Sequence, residues 1–217
     1  MEYTASLVKL NIDNALQTAR ADALAKGIPV ADDETLQFLL VTLCMTNPKR
    51  ILEIGTAVGL SGVAMLQACK DATLVTIELE EERHIQAKEN FAKFGVAERV
   101  TAYLGDAGEI LAMMDGQFDF VFLDGPKAQY EKYLFDLKRL MKKGAILFSD
   151  DVLLFGWVSG EEPTPQKRHS IVEKIRSYLD VLTADKDFIT SVLNVGDGVA
   201  LSVYTPNTKE KGDMRRR

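Results

Sequence analysis

The most constraining feature of this chain is Arg50-Ile51-Leu52-Glu53-Ile54-Gly55-Thr56-Ala57-Val58-Gly59-Leu60-Ser61-Gly62. A short apolar run carrying one acid ends in a glycine-rich turn, and an amphipathic segment with Val63, Leu66 and Ala68 follows. The pattern predicts strand, tight turn, helix. Gly55 and Gly59 permit positive φ and a close approach of ligand to backbone. The helix after the turn offers free N–H groups at its start. In an open α/β sheet such a turn is the usual seat of a nucleotide-like ligand. Glycine alone does not establish this, because ordinary strand-to-helix connections also use it. The second sign is Glu78, which closes the next apolar run, Thr73-Leu74-Val75-Thr76-Ile77-Glu78. An acid at that strand end is placed to accept both hydroxyl hydrogens of a ribose; the competing reading is a helix-capping or solvated Glu.

From Arg50 onward, strand and helix patterns alternate. Strands are expected at Ile51–Gly55, Thr73–Glu78, Val100–Leu104, Phe118–Asp124 and Ala145–Ser149. Helical segments lie between them, including Glu80–Phe94 and Tyr130–Met141. Such alternation means α/β architecture, with parallel strands and right-handed crossovers. The C-terminal part differs. A helix at Gln166–Leu182 precedes two runs, Phe188–Leu193 and Val199–Tyr204, joined by the turn-rich Asn194-Val195-Gly196-Asp197-Gly198. Two strands without a helix between them form a hairpin, so the sheet is expected to end in an antiparallel pair. Upstream, Leu7, Leu10, Ala15, Leu16 and Ala19 recur at helical spacing, predicting one helix over Thr4–Lys26 that Gly27 and Pro29 end. Asp32 or Asp33 is expected to cap a second helix through Met45, with Leu36, Leu39, Leu40 and Leu43 on its apolar face and Asn47-Pro48 as its stop. The expected organisation is one domain over 1–217: helices covering the site at 1–48, the core at 49–205 and a flexible basic tail at 206–217.

At 217 residues and 47% hydrophobic content the chain suits a single folded domain with a sizeable core. No apolar run reaches the length of a membrane span, and Met1-Glu2-Tyr3-Thr4 lacks the basic start of a signal peptide. Cys44 and Cys69 sit in apolar helical contexts without metal-type spacing and are expected to be two buried thiols. These features point to the cytoplasm. The net charge of −6 argues against general nucleic-acid binding, while Lys167-Arg168 and Arg215-Arg216-Arg217 leave a local RNA contact open.

Ligands and chemistry collect at the carboxyl ends of parallel strands. Asp106 follows the third strand, Asp124 ends the fourth, Asp150 and Asp151 end the fifth, and Asp197 lies in the hairpin turn. Pairing of the fourth and fifth strands makes Asp124, Asp150 and Asp151 neighbours. Three such carboxylates repel one another unless a cation neutralises them, and oxygen ligands without Cys or His suit a hard ion such as Mg²⁺. Helix capping is the alternative for any one of them. Lys127, three residues after Asp124, reaches the same pocket. A free Lys has a pKa near ~10.4. A nearby metal ion and partial burial are expected to lower it, making Lys127 a candidate base; the alternative is an exposed Lys pairing with Asp124. Trp157, after the fifth strand, is expected either to form an aromatic wall or to pack in the core.

Together these residues resemble the metal-dependent, S-adenosylmethionine-using O-methyltransferases of the catechol/caffeoyl-CoA type, over nearly the whole chain. Leu52–Ser61 looks like that family's cofactor motif, Thr76-Ile77-Glu78 like its ribose acid, and Gly105-Asp106-Ala107 like its adenine-side motif. Phe122-Leu123-Asp124-Gly125-Pro126-Lys127 resembles its metal-acid-plus-Lys motif, Ser149-Asp150-Asp151-Val152-Leu153 its second metal motif, and Val195-Gly196-Asp197-Gly198 its late substrate-side turn. The resemblance implies a Rossmann-like seven-stranded, mostly parallel sheet with helices on both faces and a C-terminal antiparallel hairpin. It implies S-adenosyl-L-methionine bound by Glu53, Gly55, Thr56, Gly59, Ser61, Glu78, Asp106, Ala107 and Asp124. It further implies Mg²⁺ or another divalent cation on Asp124, Asp150 and Asp151, catalysis by Lys127 with Asp124, substrate contacts from Trp157 and Asp197, and a homodimer.

Two departures stand out. The family commonly has Asn where this chain has Asp151, which adds negative charge, and Ala-Ala where it has Gly125-Pro126, which stiffens the Lys127 loop. The length and late turn look most like the bacterial branch. The implied reaction is methyl transfer to the hydroxyl of an aromatic or catechol-like small molecule; the alternative acceptor is 5-hydroxyuridine at the wobble position of a tRNA anticodon. Two other classes compete. An NAD-dependent oxidoreductase shares the glycine turn and the acid, but the spacing is not G-x-G-x-x-G. A non-catalytic nucleotide-binding module leaves Lys127 and the three strand-end acids without purpose.

Overall fold

The computed structural model describes residue 3 and residues 6–206. The expected tail at 206–217 falls almost wholly outside them. Among the described residues, fourteen α-helices and strands organise the chain. They are α1 (Asn14–Ala25), α2 (Asp33–Thr46), β1 (Arg50–Ile54), α3 (Leu60–Ala68), β2 (Thr73–Glu78), α4 (Glu81–Lys93) and β3 (Val100–Leu104). Then come α5 (Ala107–Met113), β4 (Phe118–Leu123), α6 (Tyr130–Leu140), β5 (Met141–Ser149), α7 (His169–Ala184), β6 (Phe188–Leu193) and β7 (Val199–Tyr204).

The strands form one seven-stranded sheet in the order β3-β2-β1-β4-β5-β7-β6. β1 to β5 pair in parallel, and β7 runs antiparallel between β5 and β6, as the helix-free connection predicts. Both faces are covered, so the central strands are apolar on both sides. Side chains alternate along each strand: Leu52, Val121, Leu123 and Leu147 pack against α5, α6 and α7, whereas Ile51, Phe120, Phe122 and Phe148 pack against α1 to α4.

Two expectations need correction. The helix predicted over Thr4–Lys26 is interrupted: residue 6 is helical, residues 8–13 are not, and α1 starts afresh at Asn14. The Asp13 carboxylate accepts the Leu16 N–H at 2.7 Å and so opens α1 where it stands, because a short acidic side chain satisfies the first-turn donors better as a cap than from inside a helix. Cys44 is exposed, and only Cys69 is buried. Leu36, Leu39, Leu40 and Leu43 take the inward face of α2, which leaves position 44 outside. The start of α2 follows the pattern: Asp32 caps it, accepting the Thr35 N–H at 2.9 Å.

The strand order reverses at β1, whose neighbours β2 and β4 lead away to opposite edges. A crevice at such a point, beyond the carboxyl ends of the strands, is where this architecture receives ligands. The backbone closes tightly here. Gly55 N–H donates to Ile77 O at 3.1 Å and Asp124 N–H to Ile54 O at 2.9 Å. Gly55 has φ +98°, and a Cβ there would lie 2.2 Å from the Asp124 carbonyl oxygen.

Gly55→Ala should therefore cost clearly more than Gly144→Ala, where φ is +86° but nothing lies within 4 Å. The open site carries only the left-handed backbone penalty of about 1–2 kcal/mol. Urea unfolding of both variants checks this; equal losses would mean that the close approach to Asp124 has no energetic weight.

Candidate active site

The ends of β1, β2, β4 and β5 surround a cleft of about 570 Å³. Its wall includes Gly55, Glu78, Asp106, Ala107, Asp124, Lys127, Asp150, Asp151 and Asp197 from the expected set. Thr56 and Ser61 face a small adjoining crevice that Gly55 and Asp124 share. Glu53, Gly59 and Trp157 do not line the main cleft.

Each of those three has a physical reason. Gly59, at φ +79°, caps α3, and a Cβ there would meet the Phe91 ring at 2.9 Å. Glu53 is fully buried beneath the turn. Its two oxygens accept from the Ser61 and Thr76 hydroxyls, each at 2.6 Å, so the side chain is engaged inward and braces the turn from below. Burial pushes its carboxyl from the ordinary 4.5 up to about 7, against the pull of those two hydrogen bonds. Trp157 packs on the apolar core beside α7, its ring 5.0 Å from that of Phe155.

Tyr133 and Phe155, not Trp157, are the aromatic side chains on the cleft wall; Phe155 is 67% exposed and has φ +58°. Sequence reasoning passed over it, although it sits two residues before Trp157 in the loop after Asp150-Asp151. It also passed over Asp32 and the preceding Pro29–Ala31, which line the cleft as well as leading into α2. The loop after β5 is clamped by the hairpin turn: Val152 and Leu153 N–H groups donate to Gly198 and Asp197 carbonyls at 2.9 Å, and Phe155 N–H donates to the Asp197 carboxylate.

Glu78 stands on the cleft wall at the end of β2. Its Oε2 accepts Ala57 N–H at 2.7 Å, and its Oε1 accepts Leu79 and Glu80 N–H groups at 2.9 Å. A carboxylate has about four acceptor positions, so three are already taken and about one remains for a ligand hydroxyl. Across the cleft Asp106 caps α5, accepting Glu109 N–H at 3.1 Å, and also faces the opening.

The acids at the ends of β4 and β5 are crowded. Lys127 Nζ lies 2.6 Å from Asp124 Oδ1 and 2.8 Å from Asp151 Oδ2. Asp150 is 2% exposed, and its Oδ1 accepts the Asp151 N–H at 2.7 Å. Tyr130 ties the two strand ends together, its hydroxyl 3.0 Å from Leu123 O and 3.2 Å from Asp150 O. Burial raises the Asp124 carboxyl above its usual range; Lys127 opposes this and the Asp151 charge adds to it. Burial and then the Asp124 and Asp151 charges push Asp150 well above its usual range. Lys127 is also pushed well above an ordinary lysine: burial alone would lower it, but Tyr130, Asp124 and Asp151 outweigh that. The expectation of a lowered Lys127 pKa is thus reversed in the site without a metal ion, because the ammonium is held between two carboxylates.

The donor set suits a hard cation in kind and in charge. It is all oxygen, and one ammonium serves three carboxyl groups, two of which burial and mutual repulsion push towards their neutral forms, a penalty that a cation would relieve. In position it is not assembled: among the described residues no three His, Cys, Asp or Glu side chains converge as a metal cage. The place between Asp124 and Asp151 is taken by Lys127.

Comparison with known proteins bears on what this cleft serves. A family model described as O-methyltransferase matches residues 5–204. A catechol O-methyltransferase from Niastella koreensis is 29% identical over 203 residues, covering 88% of this chain and 90% of that one. The structure of a proposed caffeoyl-CoA O-methyltransferase from Staphylococcus aureus superposes with a TM-score of 0.86 at 29% identity, over 94% of this chain and 98% of that one. The O-methyltransferase TomG from Streptomyces achromogenes, solved with S-adenosylmethionine, superposes with a TM-score of 0.79 at 28% identity, over 94% and 95% of the two chains.

The buried Glu53 carries a pH signature. Its folded pKa of about 7 lies above the ordinary 4.5, so its contribution to stability is fully present below about 4.5 and is lost as pH rises through about 7. The shift corresponds to a change on the order of 3 kcal/mol. Glu53→Gln should erase it: relative to the wild type, the variant gains stability by that order between pH 4.5 and 8 in urea unfolding. A difference that stays constant across this range would contradict the account.

Proposed function

This chain belongs to the O-methyltransferase family, and from that premise we propose that it methylates a hydroxyl of a small aromatic, catechol-like acceptor with the help of a divalent ion. Dependence on S-adenosylmethionine follows from the family and its cofactor-bound relatives. The observation that carries the finer reading is the joining of two features in one cleft: the Gly55 turn with Glu78, and the carboxylates Asp124, Asp150 and Asp151 with Lys127. Asp32, Asp151 and Asp197 also face this cleft, and their charges disfavour a polyanion such as tRNA at its mouth.

S-adenosylmethionine supplies an electrophilic methyl carbon on a sulfonium. In this reading Gly55 and Ala57 let the backbone of the turn approach it, Glu78 accepts from a ribose hydroxyl through its remaining acceptor position, and Asp106 faces the adenine end. Asp124, Asp150 and Asp151 would hold Mg²⁺ or another divalent ion, and that ion would supply positive charge to lower the pKa of the acceptor hydroxyl. Phe155 packs on the acceptor ring, and the clamped loop after β5 keeps water from the reacting face. With a cation on Asp124 and Asp151 in its place, Lys127 would release its own proton to solvent and, as the neutral amine, would accept the acceptor hydroxyl's proton on Nζ. Alignment of acceptor oxygen and methyl carbon contributes up to ~7–11 kcal/mol in favourable cases.

Turnover with a catechol acceptor should stop after exhaustive chelation and return with Mg²⁺, as followed by mass spectrometry of the methylated product. Full activity in the chelated enzyme would overturn the metal reading, and methylation of undermethylated tRNA in preference to any catechol would overturn the acceptor. Glu78→Ala should weaken S-adenosylmethionine by about tenfold or more, the range of one charge-assisted hydrogen bond. Lys127→Ala should lower kcat by about 10²–10⁴ while that dissociation constant barely moves. Calorimetry and steady-state kinetics on the two variants separate the cofactor end of the cleft from the acceptor end.

A further inference from the structure

We propose that Lys127 is the resident counter-ion of Asp124 and Asp151, and that a divalent ion binds only as the ammonium gives up this place. The inference rests on the reading that Asp124, Asp150 and Asp151 hold such an ion, and it adds a competition that the reading does not require.

The geometry is that of an occupied cation position. Nζ sits within 2.6 and 2.8 Å of one oxygen from each carboxylate, and the Lys127 side chain is only 13% exposed. A metal ion coordinated by the same two oxygens would lie at ~2.0–2.1 Å from each, in the space Nζ now fills. Two cations cannot share that space. Asp150 stands apart from the bridge, since Lys127 pairs with Asp124 and Asp151 and the Asp150 Oδ1 accepts from the Asp151 backbone.

The second arm of the bridge depends on Asp151. Its φ of +55° turns the chain at that point, and its carboxylate meets Lys127. An amide at position 151 would offer an oxygen but no charge, leaving Lys127 with one ionic partner. The acid thus strengthens the ammonium's hold as well as adding a charged ligand.

The structure also gives the displaced ammonium somewhere to go. Nζ is already 5.7 Å from the centroid of the Tyr130 ring, within cation–π range. That ring is fixed, because Tyr130 is fully buried and its hydroxyl is held at the Leu123 and Asp150 carbonyls. A short side-chain movement off the carboxylates keeps Lys127 in the cleft while opening the place between Asp124 and Asp151. Ion binding and release of Lys127 are then one event, and by linkage each opposes the reverse of the other.

The test is Mn²⁺ affinity of the full chain, read from the free-ion paramagnetic resonance signal, without substrate or turnover. Removing the competitor should tighten binding, so Lys127→Met should hold Mn²⁺ at least tenfold more tightly than the wild type, within the range of coupled sites. Equal or weaker binding by a folded Lys127→Met overturns the competition and leaves the metal reading intact. Absence of Mn²⁺ binding in both proteins at millimolar ion overturns the metal reading and the inference with it. Should the variant fail to fold, the wild type suffices: the Lys127 side-chain ¹³Cε resonance should move on titration with Mg²⁺, at the midpoint of ion binding. A resonance that stays in place while the ion binds overturns the proposal.

Discussion

Negative charge without enough positive charge, gathered at the ends of β4 and β5, is the constraint on which the rest of this site depends. Three carboxylates share one ammonium there. Two of them are drawn into the protein and pushed towards their neutral forms by burial and by each other. A fold does not keep such a cluster for stability, because each buried acid works against it. It persists because the parallel pairing of β4 with β5 puts Leu123 beside Ser149, and the residues that follow have nowhere else to go. Tyr130 then locks the two strand ends.

The other half of the cleft is built by backbone. Gly55 passes so close to Asp124 that no side chain fits, which joins the β1 turn to the acidic corner mechanically. Glu53 below the turn and Glu78 beside it are the two acids that shape it. One is buried and spends its oxygens on Ser61 and Thr76; the other faces the cleft and spends most of its own on backbone N–H groups. Preorganisation of this kind reduces what a ligand must order on binding.

The parallel core and its antiparallel ending were readable because the period of the apolar pattern and the lengths of the connections are local properties of a chain. Asp32 was readable as a cap for the same reason. The break before α1 was not: Leu7 and Leu10 keep helical spacing, but the chain leaves the helix over residues 8–13 and the Asp13 cap starts a new one. The proximity of Asp124, Asp150, Asp151 and Lys127 followed from strand order. The direction of the Lys127 shift did not, because it turns on which oxygens lie within 3 Å of Nζ. The same limit hid Phe155, whose exposure depends on a left-handed backbone in the loop after β5, and the inward turn of Glu53.

The central claim is that the crowded corner is a cation site next to the cofactor turn. Anomalous diffraction from crystals grown with Mn²⁺ and S-adenosylhomocysteine tests it most directly. The account predicts one strong peak bounded by oxygens of Asp124, Asp150 and Asp151, with Lys127 Nζ moved off the line between Asp124 and Asp151 and the nucleoside beside Gly55 and Glu78. A cofactor bound as described, with no peak at that corner under saturating Mn²⁺ or with the peak elsewhere, would contradict it.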